Sequence, residues 1–157
     1  MDTRYEEPTT DDRAASLHLQ ELALFLSVHL DRTPGILWPE HDHPAFGARP
    51  GPAGLAGLAD GLGRLTGLAV RTRPGLRSDS VPGSGSGHRL IHHTAGAVNW
   101  QLRDGSASDA AEPLRWRIRP GEVLYVPSHW TWHAELALGT RFVVTHLVPS
   151  ADPPGTP

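Results

Sequence analysis

The sequence predicts a mainly β domain, an antiparallel barrel or sandwich, that is entered through N-terminal α-helices. Three short β-rich runs, 122–126, 132–138 and 141–148, lie within thirty residues and are separated only by tight turns. Strands spaced so closely along a chain pair most readily as antiparallel neighbours. Residues 12–32 and 53–65 instead carry leucines and alanines at helical spacing, which predicts two amphipathic helices.

The composition limits the classes of function. The chain has 157 residues, a formal charge of −3 and no cysteine, and all 14 basic residues are arginine. Disulfides, zinc knuckles and thiol nucleophiles are therefore excluded. No basic surplus points to a nucleic-acid partner, and no apolar run is long enough for a membrane span. The acidic first residues lack the pattern of a signal peptide, so we expect a cytoplasmic protein.

A single domain is expected over residues 11–149, with a helical part at 11–65 and a β-barrel part at 66–149. The flanking segments, 1–10 and 150–157, are predicted to be mobile tails. A stretch rich in Gly, Ser and Pro near the middle of the chain is predicted to be a loop within this domain, because the strands after it could not fold alone.

Four further strands are predicted before the three just described, and they cover residues 68–72, 88–94, 97–103 and 113–119. In the last of these, apolar side chains alternate with arginines. This alternation is typical of a strand that is buried on one side and faces solvent on the other.

Histidine is unusually frequent, with ten residues, and it is the commonest ligand of transition metals. His41, Asp42 and His43 lie in a predicted loop, 35–50, where a metal site is one alternative and an ordinary polar loop is the other. His18 and His29 lie on or beside the first predicted helix. They are expected to be solvated or packing side chains.

The segment from Pro120 to His133, PGEVLYVPSHWTWH, resembles the second motif of the cupin superfamily in its JmjC-type and ribosomal-oxygenase-type form. The resemblance implies a double-stranded β-helix, the cupin or jelly-roll barrel, with helices against one face. The helical lead-in, FLSVHLDRTPGILWP followed by LAGLADGL, is similar to the N-terminal part of the same family.

The resemblance also implies an iron centre. JmjC-type cupins hold Fe(II) with an H-x-D motif and a second histidine, and this triad leaves positions open for 2-oxoglutarate and dioxygen. The matching stretch here is IHHTAGAVNWQLRDG, in which Gln101 and Gly105 echo the family's Q-x-x-G. Ungapped alignment puts Ile91 at the family's His and His93 at its Asp, while a two-residue slip puts His93 at the His and Ala95 at the Asp. Neither register supplies a carboxylate.

Strand parity suggests a replacement, because residues two apart share a face. His133 and Glu135 share a face of their predicted strand, so His93, His133 and Glu135 form the expected metal triad. The family's second histidine follows the motif proline by five residues, whereas His133 follows Pro127 by six, so the triad requires a one-residue bulge. His146 is a further alternative if its face of the last strand points inward.

JmjC-type oxygenases hold 2-oxoglutarate with a lysine, and this chain has none. A guanidinium can bind a carboxylate with two parallel hydrogen bonds, so Arg141 or Arg103 is the expected substitute. The resemblance places three more polar residues in the cofactor pocket, namely Asn99, Gln101 and Thr145.

The function implied by the resemblance is a metal-dependent cupin similar to Fe(II)/2-oxoglutarate oxygenases, with Fe(II) or another divalent metal and a small-molecule or peptide substrate. The alternatives are a catalytically silent cupin that binds a small ligand or a protein, and a cupin isomerase, cyclase or lyase without 2-oxoglutarate. His93-Thr94-Ala95 also fits the H-x-A form of iron halogenases, in which chloride fills the carboxylate position. Cupins often dimerise, so a homodimer is expected.

Overall fold

The computed structural model describes residues 10–47, 51–80, 87–106 and 111–148. Two α-helices, α1 (Thr10–His29) and α2 (Pro52–Thr66), come before most of the strands. The strands are β1 (Gly35–Leu37), β2 (Ala69–Pro74), β3 (His88–Ala95), β4 (Val98–Asp104), β5 (Leu114–Ile118), β6 (Val123–Val126), β7 (Trp130–Ala134) and β8 (Arg141–Val148). Two short 3₁₀ helices cover Pro44–Phe46 and Arg77–Ser80.

The strands form two antiparallel sheets. The larger has the order β1-β6-β3-β8-β2 and the smaller has the order β5-β4-β7. Strands that are far apart in sequence are neighbours in the larger sheet, as in a jelly roll. The predicted fold class, a mainly β cupin-like sandwich with N-terminal helices, is therefore confirmed.

Two apolar cores lie on opposite faces of the larger sheet, because successive side chains of a strand point to opposite sides. The outer core joins this sheet to the helices and contains Leu22, Leu26, Leu55, Leu58, Leu62, Leu90, Val123, Tyr125, Val143 and Leu147. The inner core lies between the sheets and contains Ile91, Val98, Trp100, Leu102, Ile118, Leu124, Val126, Trp132, Ala134, Phe142 and Val144.

The LYVP part of the cupin-like motif has a structural role. Leu124 and Val126 face the smaller sheet, whereas Tyr125 faces the helices. The Tyr125 hydroxyl accepts a hydrogen bond from the Asp31 amide at 2.9 Å and lies 2.9 Å from Nδ1 of His88. Asp31 has a left-handed backbone, with φ of 59°, so this bond holds the turn after α1 on the sheet.

Close packing explains Gly61 of α2, although glycine lowers the intrinsic stability of a helix. A Cβ added at Gly61 would lie 2.5 Å from Cδ1 of Leu19 in α1. Glycine at this position therefore allows α1 and α2 to approach closely. The packing between the two helices offsets the low helix propensity of glycine.

Several expectations fall on parts of the chain outside the described residues. Nearly all of the expected mobile tails, 1–10 and 150–157, lie there, and so do residues 81–86 and 107–110 of two predicted loops. Strand β1 was not expected, because it lies within a segment predicted to be a loop. Neither described helix has the length and apolarity needed to cross a lipid bilayer.

Candidate functional site

His93 lies inside the sandwich. It is 2% exposed, and its Nε2 accepts a hydrogen bond of 3.0 Å from the indole N–H of Trp100. Its ring stacks on Phe142 with 5.8 Å between the centroids. Burial lowers the pKa of His93 to about 4, so its imidazole is neutral at pH 7.

His133 and Glu135 lie elsewhere, on the exposed outer face of the smaller sheet. Strand β7 pairs with β4 without a bulge, so the strict alternation places Trp132 and Ala134 inside and His133 outside. The structure therefore does not bring the expected triad together. No bulge interrupts this pairing, so the imidazole of His93 lies inside the sandwich and that of His133 lies outside it.

The barrel interior does not fit the iron triad of JmjC-type cupins. The positions that correspond to the triad in the ungapped register are Ile91, His93 and, five residues after Pro127, Trp132. All three are at most 5% exposed and pack in or beside the inner core. Within the described residues, the pKa of His93 responds to burial alone, with no contribution from a carboxylate. The family's metal position is thus filled by packed side chains.

The residues expected to hold 2-oxoglutarate do not converge either. Asn99, Gln101 and Arg103 share the exposed face of β4, because the apolar residues between them face inward. Arg141 is exposed at the start of β8. Thr145 is fully buried on the helix side, where its hydroxyl lies 2.8 Å from Nε2 of His92. The expected cofactor pocket is corrected on these grounds.

A different polar pocket lies between α1, the segment 38–47 and the edge of the larger sheet. Its volume is about 300 Å³. We call it the histidine pocket, and it is lined by His18, Trp38, Pro39, His41, Asp42, His43, Phe46, Gly47, His92, His93, Gly121, Glu122 and Val123. Five of these residues are histidines, two carry carboxylates, and none is an arginine or a lysine.

His18 has a defined tautomer. Its Nδ1 lies 2.6 Å from the carbonyl oxygen of His41, and because a carbonyl only accepts, Nδ1 carries the proton. Nε2 is therefore a lone pair, and it is buried without a hydrogen-bond partner. Burial lowers the pKa of His18, which keeps the imidazole neutral.

His43 and His92 surround Phe46. The Phe46 ring stacks on His92 at 4.5 Å and lies 6.0 Å from His43. His43 Nδ1 accepts the Ala45 amide at 3.0 Å and caps the short 3₁₀ helix, and burial lowers its pKa to about 4. Burial and then the neighbouring imidazoles lower the pKa of His92 well below its ordinary value. The imidazoles of His43 and His92 are therefore neutral at pH 7, like those of His18 and His93.

Three potential metal ligands meet at the edge of this pocket. Ligand atoms of Glu21, Glu40 and His41 all lie within 4.8 Å of one another, and no other such group of three occurs in the described part of the chain. Nδ1 of His41 is 3.5 Å from Oε2 of Glu21. Glu21 also accepts the amides of Glu40, at 2.9 Å, and His41, at 3.3 Å. We call these three residues the rim cluster.

The sequence contained part of this arrangement. The sequence indicates His41-Asp42-His43 as a metal alternative, but it gives no signal that assigns His18 or Glu21 to a site. His18 precedes Leu22 and Leu26 by four and eight residues, so the helical period already placed it on the buried face of α1. Its contact with residue 41 depends on tertiary packing, and the sequence pattern does not reveal it.

The backbone is similar to that of YcfD, a ribosomal oxygenase from Escherichia coli. One YcfD structure matches with a TM-score of 0.52 and 12% identity, over 82% of this chain and 51% of that one. YcfD in complex with cobalt and succinic acid matches with a TM-score of 0.51 and 14% identity, over 86% and 52% of the two chains. A shorter overlap with Fe(II)-HppE, with a TM-score of 0.34, is too partial to bear on fold or function.

The chain thus spans about half the length of YcfD, and at this identity the similarity shows a shared cupin-type fold. No family model matches the sequence, and no curated protein does so either.

Proposed function

We propose that this protein is a metal-dependent cupin whose divalent transition-metal ion binds at the rim cluster, outside the barrel, with a small molecule in the adjoining histidine pocket. The observation that carries the proposal is the convergence of Glu21, Glu40 and His41, whose ligand atoms lie within 4.8 Å of one another. Glu21 on α1 and Glu40 in the following loop are 19 residues apart in sequence, so the fold itself creates the cluster.

The chemistry of this donor set suits such an ion. Two carboxylates held close together repel one another unless a cation or a proton lies between them. One imidazole and two carboxylates are ligands that first-row divalent metals accept, and three protein ligands leave coordination positions open. The hydrogen bond from His18 to the carbonyl of His41 would fix the position of the loop, as supporting bonds do around other metal centres.

The pocket supports a particular class of small molecule. Its polar wall includes the neutral imidazoles of His18, His43 and His92 together with the carboxylates of Asp42 and Glu122, and Trp38 adds an aromatic face. A neutral or cationic ligand matches these groups. A dicarboxylate such as 2-oxoglutarate would normally be held by a guanidinium or an ammonium group. The lining residues include neither, so we do not place 2-oxoglutarate in this pocket.

A second candidate function is a cupin that binds a small polar molecule without metal. Four histidines that line the pocket have a buried ring nitrogen with no hydrogen-bond partner: Nε2 of His18 and Nδ1 of His41, His92 and His93. Buried polar atoms normally have a partner, and a ligand with donor and acceptor groups would supply it. In this case the rim cluster would be a surface feature only.

Titration of the tag-free protein with Co(II), followed by the visible absorption of the bound ion, tests the proposal. Wild type should bind one equivalent, and Glu21→Gln should weaken binding by about tenfold or more, because a charged ligand becomes neutral. The matched control is Glu135→Gln, which removes a carboxylate from the outer face of the smaller sheet and should bind like wild type.

The outcomes separate the alternatives. Loss of binding in Glu135→Gln or His133→Gln, with Glu21→Gln unaffected, would contradict the rim site and restore the triad expected from sequence. Wild type without measurable Co(II) binding would leave the metal-free ligand-binding function. Formation of succinate from 2-oxoglutarate by the Fe(II)-loaded protein would extend the proposal to an oxygenase.

A further inference from the structure

A row of basic side chains crosses the inner face of the larger sheet, at the end remote from the histidine pocket. Arg71 on β2 is paired directly with His146 on β8, and His146 is paired with Arg89 on β3. Directly opposed residues on one face lie about 5 Å apart between Cβ atoms. Arg73 follows Arg71 on the same face, because it is two residues further along β2.

These side chains border a cavity of about 680 Å³ at the edge strand β2. We call it the arginine pocket, and it is lined by Ala69, Arg71, Thr72, Arg73, His146 and Val148. It shares no residue with the histidine pocket. Ala69 and Arg71 are exposed, so the smaller sheet leaves this end of the inner face open to solvent.

Positive charge exceeds negative charge around the arginine pocket. Both carboxylate oxygens of Asp79 contact the guanidinium of Arg73, at 2.7 and 2.5 Å. Arg89 instead lies over the ring of Trp132, 4.3 Å from its centroid. Arg71 has no carboxylate within salt-bridge distance in the described residues. One acidic group therefore faces three guanidinium groups.

Guanidinium groups gathered on one face repel one another unless an anion compensates them, and here Arg71 and Arg73 share a face of β2 while Arg89 lies on the same face two strands away. The positive charges of these arginines also act on the imidazole of His146. Its pKa is lowered by burial first and then by Arg89, Arg73 and Arg71, while Asp79 acts in the opposite direction. A bound anion would relieve this repulsion.

We propose that the arginine pocket binds the oxyanion group of a small molecule, a carboxylate or a phosphate, between Arg71, Arg73 and His146. Guanidinium groups bind both anions through paired hydrogen bonds, and a planar fork fixes the orientation of the ligand. The bonds between Arg73 and Asp79 hold that guanidinium in place before the anion arrives. This site is separate from the rim cluster and does not depend on a metal there.

Calorimetric titration with inorganic phosphate and, separately, with succinate tests this site at low ionic strength, where surface charges are least screened. The variant is Arg71→Gln, since Arg71 is exposed and its replacement leaves the bonds of Asp79 intact. Arg117→Gln is the matched control, because Arg117 is exposed on β5, an edge strand of the smaller sheet, and does not line the arginine pocket. Ring resonances of His146 locate the bound anion by NMR.

We expect at least one of the two anions to bind wild type and to shift the His146 resonances. Arg71→Gln should weaken this binding by roughly tenfold, the effect of losing one charge-assisted interaction, and Arg117→Gln should weaken it less than about twofold. Preference for phosphate would indicate a phosphorylated ligand, and preference for succinate a carboxylic acid. Absence of binding by both anions, or equal weakening in the two variants, would overturn the proposal. Co(II) binding at the rim cluster should be unchanged in Arg71→Gln.

Discussion

The free energy of unfolding should fall by several kcal/mol as the pH is lowered from about 6.5 to about 4. Burial lowers the pKa of His43 and of His93 to about 4 in the folded protein. In the unfolded chain both should titrate near 6.5, so between these values the unfolded state binds more protons. Each histidine can therefore contribute up to about 3 kcal/mol of acid destabilisation, and neither contributes above about pH 6.5.

Urea denaturation at a series of pH values measures this dependence. Replacing His93 by Gln, which can still accept the hydrogen bond from Trp100, should reduce the slope of stability against pH in the acid range. The control is Gln101→Ala on the exposed face of β4, which leaves the buried histidines in place and should keep the slope of wild type. A wild-type stability that is flat between about pH 4 and 6.5 would contradict the buried neutral imidazoles.

Trp100→Ala should destabilise the protein by about 4 kcal/mol, because it opens a large cavity between the sheets. Trp100 is fully buried and contacts both His93 and Phe142 through edge-on rings. Trp100→Phe keeps most of the apolar volume but leaves Nε2 of His93 without its donor, so a smaller loss of about 1–3 kcal/mol is expected.

Chemical denaturation of the two variants beside Trp38→Ala provides the comparison. Trp38 is 70% exposed, so its removal should change the free energy of unfolding by no more than about 0.5 kcal/mol. If Trp100→Ala were as mild as Trp38→Ala, the interior would have to be a loosely filled ligand cavity. Such a result would contradict the close packing of Trp100 against His93 and Phe142.

The elements of the fold could be predicted because their signals are local. Helical spacing located α1 and α2 to within a few residues, and dense β-rich runs with turns indicated antiparallel strands. Strand β1 escaped prediction, since three residues between turn-forming neighbours carry almost no periodic signal. It becomes a strand only because β6 offers a pairing edge.

The candidate site was harder to predict. The alternation of side chains along a strand shows which residues share a face, but it does not show which of the two faces points into the barrel. It correctly placed His93 on the same face of β3 as Ile91 and Arg89, and both His133 and Glu135 are exposed. The apolar alternate pair on β7, Trp132 and Ala134, takes the interior instead. Burial of two apolar side chains outweighs any gain from enclosing a histidine and a carboxylate.

The rim cluster and the arginine pocket depend on long-range contacts. Glu21 meets the segment around His41 through a bond that spans 20 residues, and Arg71 meets His146 through strand pairing. A single sequence does not show which surfaces tertiary packing will join. The motif that resembles the cupin family indicated the barrel correctly, but the metal position of that family is occupied here by core side chains.

Anomalous X-ray diffraction at the cobalt edge, from crystals grown with Co(II), would locate the bound metal ion in the protein. An anomalous peak is expected beside the carboxylates of Glu21 and Glu40 and the imidazole of His41, at coordination distances of about 2.1 Å. The barrel interior around His93 and Trp100 should show no peak. A cobalt ion bound by His93 or His133, with none at the rim cluster, would rule out the proposed metal site.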